Sequence, residues 1–342
     1  MKPLPETMLA ALLAAPGSAL SVGEIPVPHP GPGQVLIRMA AAPINPSDLG
    51  FVQGSYGYDR PFPMVPGFEG SGTVVAAGGG LLPRLWLGQR VACSASAGGT
   101  WAEYVVASAS TSMPLLPSVS LEQGAMLIVN PMTALAFFDM ARHGRHAALM
   151  NQAAGSALGR MILRLGLRRR VPVIHLVRRA EQVTALHALG AVDVLNTTEP
   201  EFLDRFSVLA RRLNATLLLD PVGGTLSETL LNAAPAGSTL VRYGSLSGPG
   251  PLDNVDERRV VRFFLPDWLR TQSAPQVLLK MLQVQRSASR ELQTRIHMRV
   301  LLADVLTGID RYRSDPSAGK ILLVAEPGSG SIPSHEDGPH HP

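Results

Sequence analysis

The sequence contains a single cysteine, Cys93, among its 342 residues. One thiol cannot form an intramolecular disulfide or a zinc site built from several cysteines. Lysine is almost as scarce, because Lys2, Lys280 and Lys320 are the only lysines among 30 basic side chains. No apolar run reaches the roughly 18 residues that a membrane-spanning helix needs. We therefore expect a soluble, cytoplasmic protein without a membrane partner and without a disulfide framework.

The excess of basic charge does not indicate nucleic-acid binding. The net charge is +4, but the arginines are dispersed along the chain. A nucleic-acid-binding domain would group its basic side chains or interleave them with aromatic residues. We expect an anionic small molecule as ligand, and no nucleic-acid partner.

The first residues allow two interpretations. The stretch "MLAALLAAPGSAL" imitates the apolar core of a signal peptide that ends in small residues. It also reads as a strand that enters a turn at Pro16 and Gly17, and the following "SVGEIPVPHPGPGQVLIRM" continues the alternation. Two alternating runs around a Pro/Gly turn favour a β-hairpin.

The composition of the chain changes near residue 125, which indicates two lobes. Before that point, short apolar runs separated by Gly and Pro predict an irregular β-rich lobe. After it, helical periodicity alternates with buried-strand runs, which predicts an α/β fold with a doubly wound parallel sheet. The predicted strands are 147–151, 171–177, 191–196, 215–220 and 238–244. Two helices, "QVLLKMLQVQ" and "LLADVLTGIDRYR", then precede a last strand, "KILLVAE", which we place back in the first lobe.

These patterns predict three structural parts and a tail. We expect the first part of a catalytic domain at 1–125, a nucleotide-binding domain at 126–265 and a return segment of the catalytic domain at 266–326. Residues 327–342 lack apolar side chains to pack and should be disordered.

A nucleotide site is predicted where the strand "AALMN" runs into "QAAGSALG" and a helix. Small residues in such a turn let the backbone approach a pyrophosphate, whose charge is met by N–H groups at the helix N-terminus. Gly155 and Gly159 fit this fingerprint, but Ala157 stands where a glycine would be expected. An ordinary tight turn therefore remains an alternative.

The next predicted strand ends in Arg178 and Arg179, 19 residues beyond Gly159. At this place in a dinucleotide-binding sheet, a side chain contacts the adenosine ribose. An acidic residue would accept a hydrogen bond from a 2′-hydroxyl, whereas arginine binds a 2′-phosphate. The sequence therefore predicts NADPH as cofactor, and a solvated arginine pair is the alternative.

At this point the residues resemble a known family. The chain is similar to the zinc-free medium-chain dehydrogenase/reductases, and within them to NADPH-dependent 2-enoyl thioester reductases and quinone oxidoreductases. The resemblance covers residues 8–325, and its markers are "EIPVPHPGPGQVLIRM", "INPSDLGFVQGSYG", "VPGFEGSG", "GTWAEYVV", "VNPMTA", "ALGAVDVLN", "DPVGG", "VRYGSLSG" and "AGKILL". It implies a Rossmann-type sheet inserted in a GroES-like catalytic domain.

The resemblance also implies the chemistry. Zinc-bearing relatives carry a cysteine where Asn45 stands and a histidine where Phe68 stands, and neither replacement is a zinc ligand. In enoyl reduction, hydride adds at the β-carbon and an acid protonates the α-carbon. In the family this acid is the tyrosine of a "GxYG" turn, which corresponds to Tyr56 in "GSYG". Tyr58, two residues further on, is not expected to be catalytic. Quinone reductases can carry the same tyrosine.

Further site residues are implied only by the resemblance. Residues expected to contact the cofactor are Asn130, Thr133, Gly155, Ser156, Ala157, Leu158, Gly159, Arg178, Arg179, Tyr243, Gly244, Ser245, Leu246, Phe263, Phe264, Leu265, Pro266 and Lys320. Residues expected to line the substrate pocket are Asn45, Trp101 and Trp268. Large aromatics at such places also occur as simple core. Asn130 before a proline also reads as the cap of a helix start.

Three functions remain open from the sequence. The first is an NADPH-dependent enoyl thioester reductase, the second an NADPH:quinone or enone oxidoreductase, and the third an NADPH-binding protein without catalysis. By resemblance we also expect a homodimer and no bound metal.

Overall fold

The computed structural model describes residues 3–55, 61–95, 98–247 and 258–325. The elements of the first lobe come first along the chain. They are β1 (Thr7–Leu13), β2 (Leu20–Pro26), β3 (Gln34–Pro43), α1 (Pro46–Val52), β4 (Gly70–Ala77), α2 (Leu81–Leu85), β5 (Arg90–Cys93), β6 (Tyr104–Ser108), β7 (Met113–Pro114) and α3 (Leu121–Gly124). The predicted β-rich character of this lobe is confirmed.

Helices and strands alternate in the second lobe. Its elements are α4 (Val129–His143), β8 (Ala148–Asn151), α5 (Ala157–Arg169), β9 (Val173–Val177), α6 (Ala180–Ala188), β10 (Asp193–Asn196), α7 (Phe202–Leu213), β11 (Ala215–Asp220), α8 (Gly224–Ala233), β12 (Thr239–Arg242) and β13 (Arg259–Arg262). The remaining elements are α9 (Leu265–Arg270), α10 (Ala274–Arg286), β14 (Ile296–Leu301), a 3-10 turn (Leu302–Asp304), α11 (Val305–Ser314) and β15 (Lys320–Val324).

The N-terminal hairpin predicted from the sequence is confirmed. Strands β1 and β2 pair antiparallel over their full length. Gly17 in the turn between them has a φ of 76°, a conformation that glycine adopts without strain. The Pro16-Gly17 pair therefore forms the turn of the hairpin.

The second lobe is built on a parallel sheet, six-stranded within the described residues, in the order β10-β9-β8-β11-β12-β13. Every residue of β8 and β9 is buried, because helices pack on both faces of the sheet. Strands covered on both faces read as continuous apolar runs, which is why the sequence located five of them. The sixth, β13, is mostly exposed and was not among the predicted strands.

The strand order of this sheet defines a ligand crevice. The order reverses between β8 and β11, the first and fourth strands of the sheet along the chain. Open parallel sheets bind ligands outside the carboxyl ends of the strands at such a switch point. The turn after β8 is therefore where the fold places a nucleotide.

The first lobe is built on a second sheet, seven-stranded over the same residues, in the order β14-β15-β3-β4-β5-β7 with β6 beside β3. Strand β15 pairs antiparallel with β3, which confirms that "KILLVAE" returns to the first lobe. Its parallel neighbour β14 was not predicted. The sequence of β14, "IHMRVL", carries two basic residues, and its pairing with β15 makes it a strand.

The domain limits stay predictions, and the packing favours one change to them. Val284 of α10 and Leu292 are buried in one cluster with Leu149 and Leu219 of the parallel sheet. We therefore propose that residues 266–292 belong with the nucleotide-binding part. The return to the first lobe then begins near β14.

Candidate active site

The carboxyl end of β8 leads directly into helix α5. Ser156 caps the helix, because its Oγ accepts a hydrogen bond of 3.0 Å from the N–H of Gly159. Ala157 and Leu158 are the first two helical residues, and N–H groups at these positions have no acceptor within a helix. Such N–H groups and the positive end of the helix dipole attract anions. This turn presents the donors that a pyrophosphate needs, and its binding stays a prediction.

Close packing explains the glycine at 159. A Cβ on Gly159 would lie 2.6 Å from Ala154 Cα and 2.7 Å from the oxygen of Ala153. Ala153 itself has a φ of 51°, a left-handed conformation that costs a non-glycine residue about 1–2 kcal/mol. A Cβ on Gly155 would meet only the flexible amide end of Gln182. The tight path of the turn therefore requires Gly159 more than Gly155.

Buried polar atoms without partners lie in the same turn. Asn151 Oδ1 and both amide atoms of Gln152 have no hydrogen-bond partner within the described part of the chain. Asn151 Nδ2 donates to the Gly159 oxygen at 3.0 Å and lies 3.2 Å from His175 Nδ1. A buried polar atom left unpaired costs about 1–3 kcal/mol. The crevice at β8 and β11 therefore suits a polar ligand, and a nicotinamide dinucleotide fits its donor set.

Arg178 and Arg179 follow β9 at the same edge of the sheet. Both are exposed. The Arg178 side chain forms no hydrogen bond or ion pair with any part of the chain that the structure describes. Arg179 is engaged, because its Nε lies 2.9 Å from Glu181 Oε1 and its guanidinium donates to Ser317 Oγ at 2.7 Å. The two arginines predicted for one phosphate thus have different surroundings.

Asn45, which was predicted for the substrate pocket, lies in a buried polar cluster. Its Nδ2 donates to Glu69 Oε1 at 3.1 Å, and its Oδ1 accepts a hydrogen bond from Lys320 Nζ. Its backbone N–H donates to Asp48 Oδ2 at 2.7 Å in a capping box at the start of α1. Each of the four residues is at most 3% exposed. Lys320 therefore contacts Asn45, and its contact with the cofactor stays a prediction.

The buried cluster holds two carboxyl groups and one ammonium. Burial raises the pKa of Asp48 to about 7, although the Asn45 N–H and the Lys320 charge both lower it. Burial also raises the pKa of the Glu69 carboxyl, and it lowers the pKa of the Lys320 ammonium. Charges that are removed from water need partners of opposite sign. The Lys320 charge is the partner of opposite sign and lowers the pKa of both carboxyl groups. Asn45 and neighbouring backbone N–H groups donate the hydrogen bonds to the carboxylates.

The donor set at positions 45 and 68 does not fit a zinc ion. Phe68 has no donor atom, and its ring packs edge-on against Phe51 with centroids 5.8 Å apart. The amide oxygen of Asn45 is occupied by Lys320 and its nitrogen by Glu69. The described residues contain no group of three His, Cys, Asp or Glu side chains that could hold a metal. No catalytic step through a metal is assigned to this position.

Asn130 and Thr133 lie in the first turns of α4, but Asn130 does not cap the helix. The helix begins at Val129, so the interpretation of Asn130 as its cap is wrong. Glu69 replaces the cap, because its Oε2 accepts the N–H groups of Ile128 at 2.9 Å and Val129 at 2.8 Å. A carboxylate at a helix N-terminus is stabilised by the helix dipole.

The segments after β12 and β13 lie side by side at the edge of the sheet. The rings of Tyr243 and Phe263 each lie 4.9 Å from the ring of Phe137, between centroids. A Cβ on Gly244 would lie 2.6 Å from the oxygen of Pro221, so the chain after β12 passes close to the turn after β11. The structure thus brings these predicted residues together, and their contact with a nicotinamide stays a prediction.

The two tryptophans have different environments. Trp101 is fully buried, and its Nε1 donates to the Pro43 oxygen at 3.2 Å. This packing supports the alternative that Trp101 is part of the core. Trp268 is half-exposed, and Lys280 Nζ lies 5.1 Å from the centre of its ring. Of the two, Trp268 has surface to offer a ligand.

Tyr56, the predicted proton donor, and Tyr58 lie outside the described residues. The chain before them is described. Helix α1 starts from the Asn45 capping box and ends at Val52, four residues before Tyr56. The catalytic role of Tyr56 therefore stays a prediction from the sequence.

Sequence reasoning missed the acidic residues that organise the site. Asp48 and Glu69 are isolated charges within apolar stretches, and a buried charge must find a partner. Asp220 at the end of β11 is also fully buried. Its carboxylate accepts hydrogen bonds from the N–H of Val222 at 2.8 Å and from Ser227 Oγ at 2.6 Å. A lone acid in an apolar run was the signal that could have revealed all three.

Comparison with known proteins agrees with this fold. The Alcohol dehydrogenase GroES-like domain family matches residues 31–118. A candidate NADPH:quinone reductase from Mesorhizobium loti is 32% identical and superposes with a TM-score of 0.87, covering 94% of this chain and 99% of the other. Mitochondrial enoyl-[acyl-carrier-protein] reductases from Arabidopsis thaliana and Homo sapiens are 32% and 31% identical over 68% and 71% of this chain. The matches span 63% and 67% of those two proteins.

The chain belongs to the medium-chain dehydrogenase/reductase superfamily, in its zinc-free, quinone oxidoreductase-like branch. It is an oxidoreductase, as are these relatives. The fold class and the family predicted from the sequence are confirmed. The hypothesis of a cofactor-binding protein without catalysis is left without support.

Proposed function

We propose that this protein reduces the 2,3 double bond of an enoyl thioester with NADPH. The cofactor would lie at the carboxyl ends of β8 and β9, where the α5 N-terminus faces the pyrophosphate and Arg178 the 2′-phosphate. The names of the Arabidopsis and human relatives support the enoyl substrate. The acyl group and its carrier are left open by this proposal.

The observation that carries the proposal is the state of Asn45. Glu69 and Lys320 hydrogen-bond the two ends of its amide. This position therefore offers no ligand for a metal ion that would bind an alkoxide. A reaction without metal needs a proton donor and hydrogen-bond donors for the enolate. Conjugate reduction meets this requirement, because the thioester carbonyl itself stabilises the charge that develops.

The proposed steps assign a proton to one residue of this chain. When bound, NADPH would supply the hydride for the β-carbon. The Tyr56 hydroxyl then donates its proton to the α-carbon, so that the double bond gains one hydride and one proton. The tyrosinate recovers its proton from solvent. The buried cluster around Asn45 holds α1, the helix that leads to Tyr56.

The test is the Tyr56→Phe variant, which removes the hydroxyl and keeps the ring. General-acid catalysis contributes about 10²–10⁴-fold, so turnover of crotonyl-CoA should fall toward that range while the NADPH dissociation constant stays almost unchanged. Tyr58→Phe is the matched control and should behave as wild type. Unchanged turnover of the thioester by Tyr56→Phe would count against the mechanism.

An NADPH:quinone oxidoreductase is the second candidate. The Mesorhizobium loti protein, similar over almost the whole chain, supports it. Quinone oxygens can take protons from solvent once hydride has arrived, so Tyr56→Phe should cost little with a benzoquinone. Rates of NADPH oxidation with crotonyl-CoA, a 2-hexenoyl thioester and a benzoquinone, measured side by side, separate the two functions.

The cellular location stays a prediction. No helix among the described residues is long and apolar enough to cross a membrane. The relatives from Arabidopsis and human are named as mitochondrial, whereas the sequence led us to expect the cytoplasm.

A further inference from the structure

Arg179 is held by residues from both lobes. Within its own lobe its Nε lies 2.9 Å from Glu181 Oε1. From the turn between α11 and β15, Ser317 Oγ accepts a hydrogen bond from the guanidinium at 2.7 Å, and Asp315 Oδ1 lies 3.9 Å from it. The turn belongs to the first lobe, since β15 pairs with β3. Arg179 therefore joins the nucleotide-binding sheet to the catalytic lobe.

The turn that carries Asp315 is internally braced. Asp315 Oδ1 accepts hydrogen bonds from Ser317 Oγ at 2.7 Å and from the Ser317 N–H at 3.1 Å. These bonds, together with the charge of Arg179, lower the pKa of the Asp315 carboxyl. The carboxylate is therefore ionised at neutral pH and fixed in place beside Arg179.

Arg160 lies near this carboxylate, and two further arginines lie near Arg160. Burial lowers the pKa of Arg160, and the charges of Arg164 and Arg295 lower it further, whereas Asp315 raises it. The Nε of Arg160 is also buried without a partner among the described residues. Asp315 is thus an anion with Arg179 beside it and Arg160 nearby. The same arginines would also attract a phosphate group.

We propose that Asp315 competes with the 2′-phosphate of the cofactor for Arg179 and thereby sets the preference between NADPH and NADH. This inference rests on the cofactor site of the proposed function. Arg178, which the described chain leaves without a partner, supplies the main phosphate contact. Asp315 engages Arg179 from the opposite lobe, so the wild-type protein binds NADPH less tightly than its two arginines would allow.

The proposal predicts different effects of Asp315 on the binding of NADPH and of NADH. A phosphomonoester carries a charge of about −1.5 to −2 at pH 7, so it binds more tightly when Asp315 no longer engages the Arg179 guanidinium. The 2′-hydroxyl of NADH has no charge and can donate a hydrogen bond to a carboxylate. Removal of the Asp315 charge should therefore strengthen NADPH binding and leave NADH binding unchanged or weaker.

The experiment measures dissociation constants for NADPH, NADH, 2′,5′-ADP and 5′-ADP by calorimetric or fluorescence titration. Asp315→Asn should bind NADPH and 2′,5′-ADP about two- to fivefold tighter, the range expected for an exposed charge pair. Asp310→Asn is the matched control, because Asp310 lies on α11 in the same lobe and its side chain is 80% exposed. The control should bind all four ligands as wild type does.

A second variant assigns the gain to Arg179. If Asp315 acts by occupying this arginine, the gain from Asp315→Asn should vanish in an Arg179→Ala background. A gain that persists there, or no gain in Asp315→Asn while wild type still prefers 2′,5′-ADP over 5′-ADP, overturns the inference and leaves the proposed function standing. A wild-type protein that does not distinguish these two ligands overturns the inference together with the proposed cofactor site.

Discussion

At the scale of a single residue, Asp48 makes the free energy of unfolding depend on pH. Burial raises its pKa from the ordinary value of 3.8 to about 7. Between these values the folded protein binds more protons than the unfolded chain, so the free energy of unfolding should fall as the pH rises from about 4 to about 7. The slope from one group is at most about 1.4 kcal/mol per pH unit.

We predict that the part of this slope that comes from Asp48 disappears in Asp48→Asn, whereas the raised pKa of Glu69 leaves a slope of the same sign. Asparagine keeps one acceptor for the N–H groups of Asn45 and Phe68, so the lost hydrogen bond lowers stability by an amount that does not depend on pH. The measurement is urea unfolding of wild type and variant at several pH values between 4 and 7.5. Asp310→Asn serves as a control for charge removal. A difference between wild type and Asp48→Asn that is constant with pH would refute the prediction.

Helix α5 depends on its first turn, and at the scale of an element Gly159 in that turn and Gly155 just before the Ser156 cap make a matched pair. Gly159→Ala would place a Cβ against the backbone of Ala153 and Ala154, which cannot move aside without shifting the helix. Overpacking of this kind costs about 1–3 kcal/mol, and it outweighs the roughly 1 kcal/mol that alanine gains in a helix. We therefore expect lower stability.

The control for this prediction is Gly155→Ala, whose Cβ would meet only the end of the Gln182 side chain. Thermal unfolding should show a clear loss for Gly159→Ala and a small change for Gly155→Ala. Titration with NADPH should also show weaker binding by Gly159→Ala, because a shifted α5 moves the N–H groups that face the pyrophosphate. Equal stability of the two variants would contradict the packing argument.

At the scale of the whole molecule, we predict a homodimer. Strand β13 is the last strand in the described order of the parallel sheet, and Val261 on it is 38% exposed. In the resembling family an edge strand at this place pairs across a twofold axis, which covers an edge that would otherwise invite aggregation. Light scattering at micromolar concentration should give the mass of a dimer, and metal analysis of the sample should find no stoichiometric zinc.

A charged residue on β13 tests this assembly. Val261→Lys should shift the mass toward the monomer, because a lysine on each copy would meet its counterpart near the twofold axis. Val208→Lys on α7, where the native side chain is 65% exposed, is the matched control and should leave the mass unchanged. A monomeric wild-type protein would refute the prediction.

The sequence by itself determined the class of fold. The parallel sheet is covered on both faces, so its strands are short apolar runs that stand out from the helices between them. The turn after β8 could also be predicted, because glycine, small residues and a serine cap follow one another within a few positions. The role predicted for Tyr56 rests on its motif alone and stays a prediction. These features are local, so they can be recognised in the sequence without knowledge of the tertiary contacts.

Tertiary structure decided what the polar residues do. Asn45, Glu69 and Lys320 come from three parts of the chain, and the pairing of β4 and β15 with β3 brings them together. The same holds for Arg179 and Asp315, which are separated by most of the second lobe and meet across the two lobes. A buried or shared charge is defined by the partner that it finds in space. Periodicity along the chain reports which residues are buried, and it carries no information about such partners.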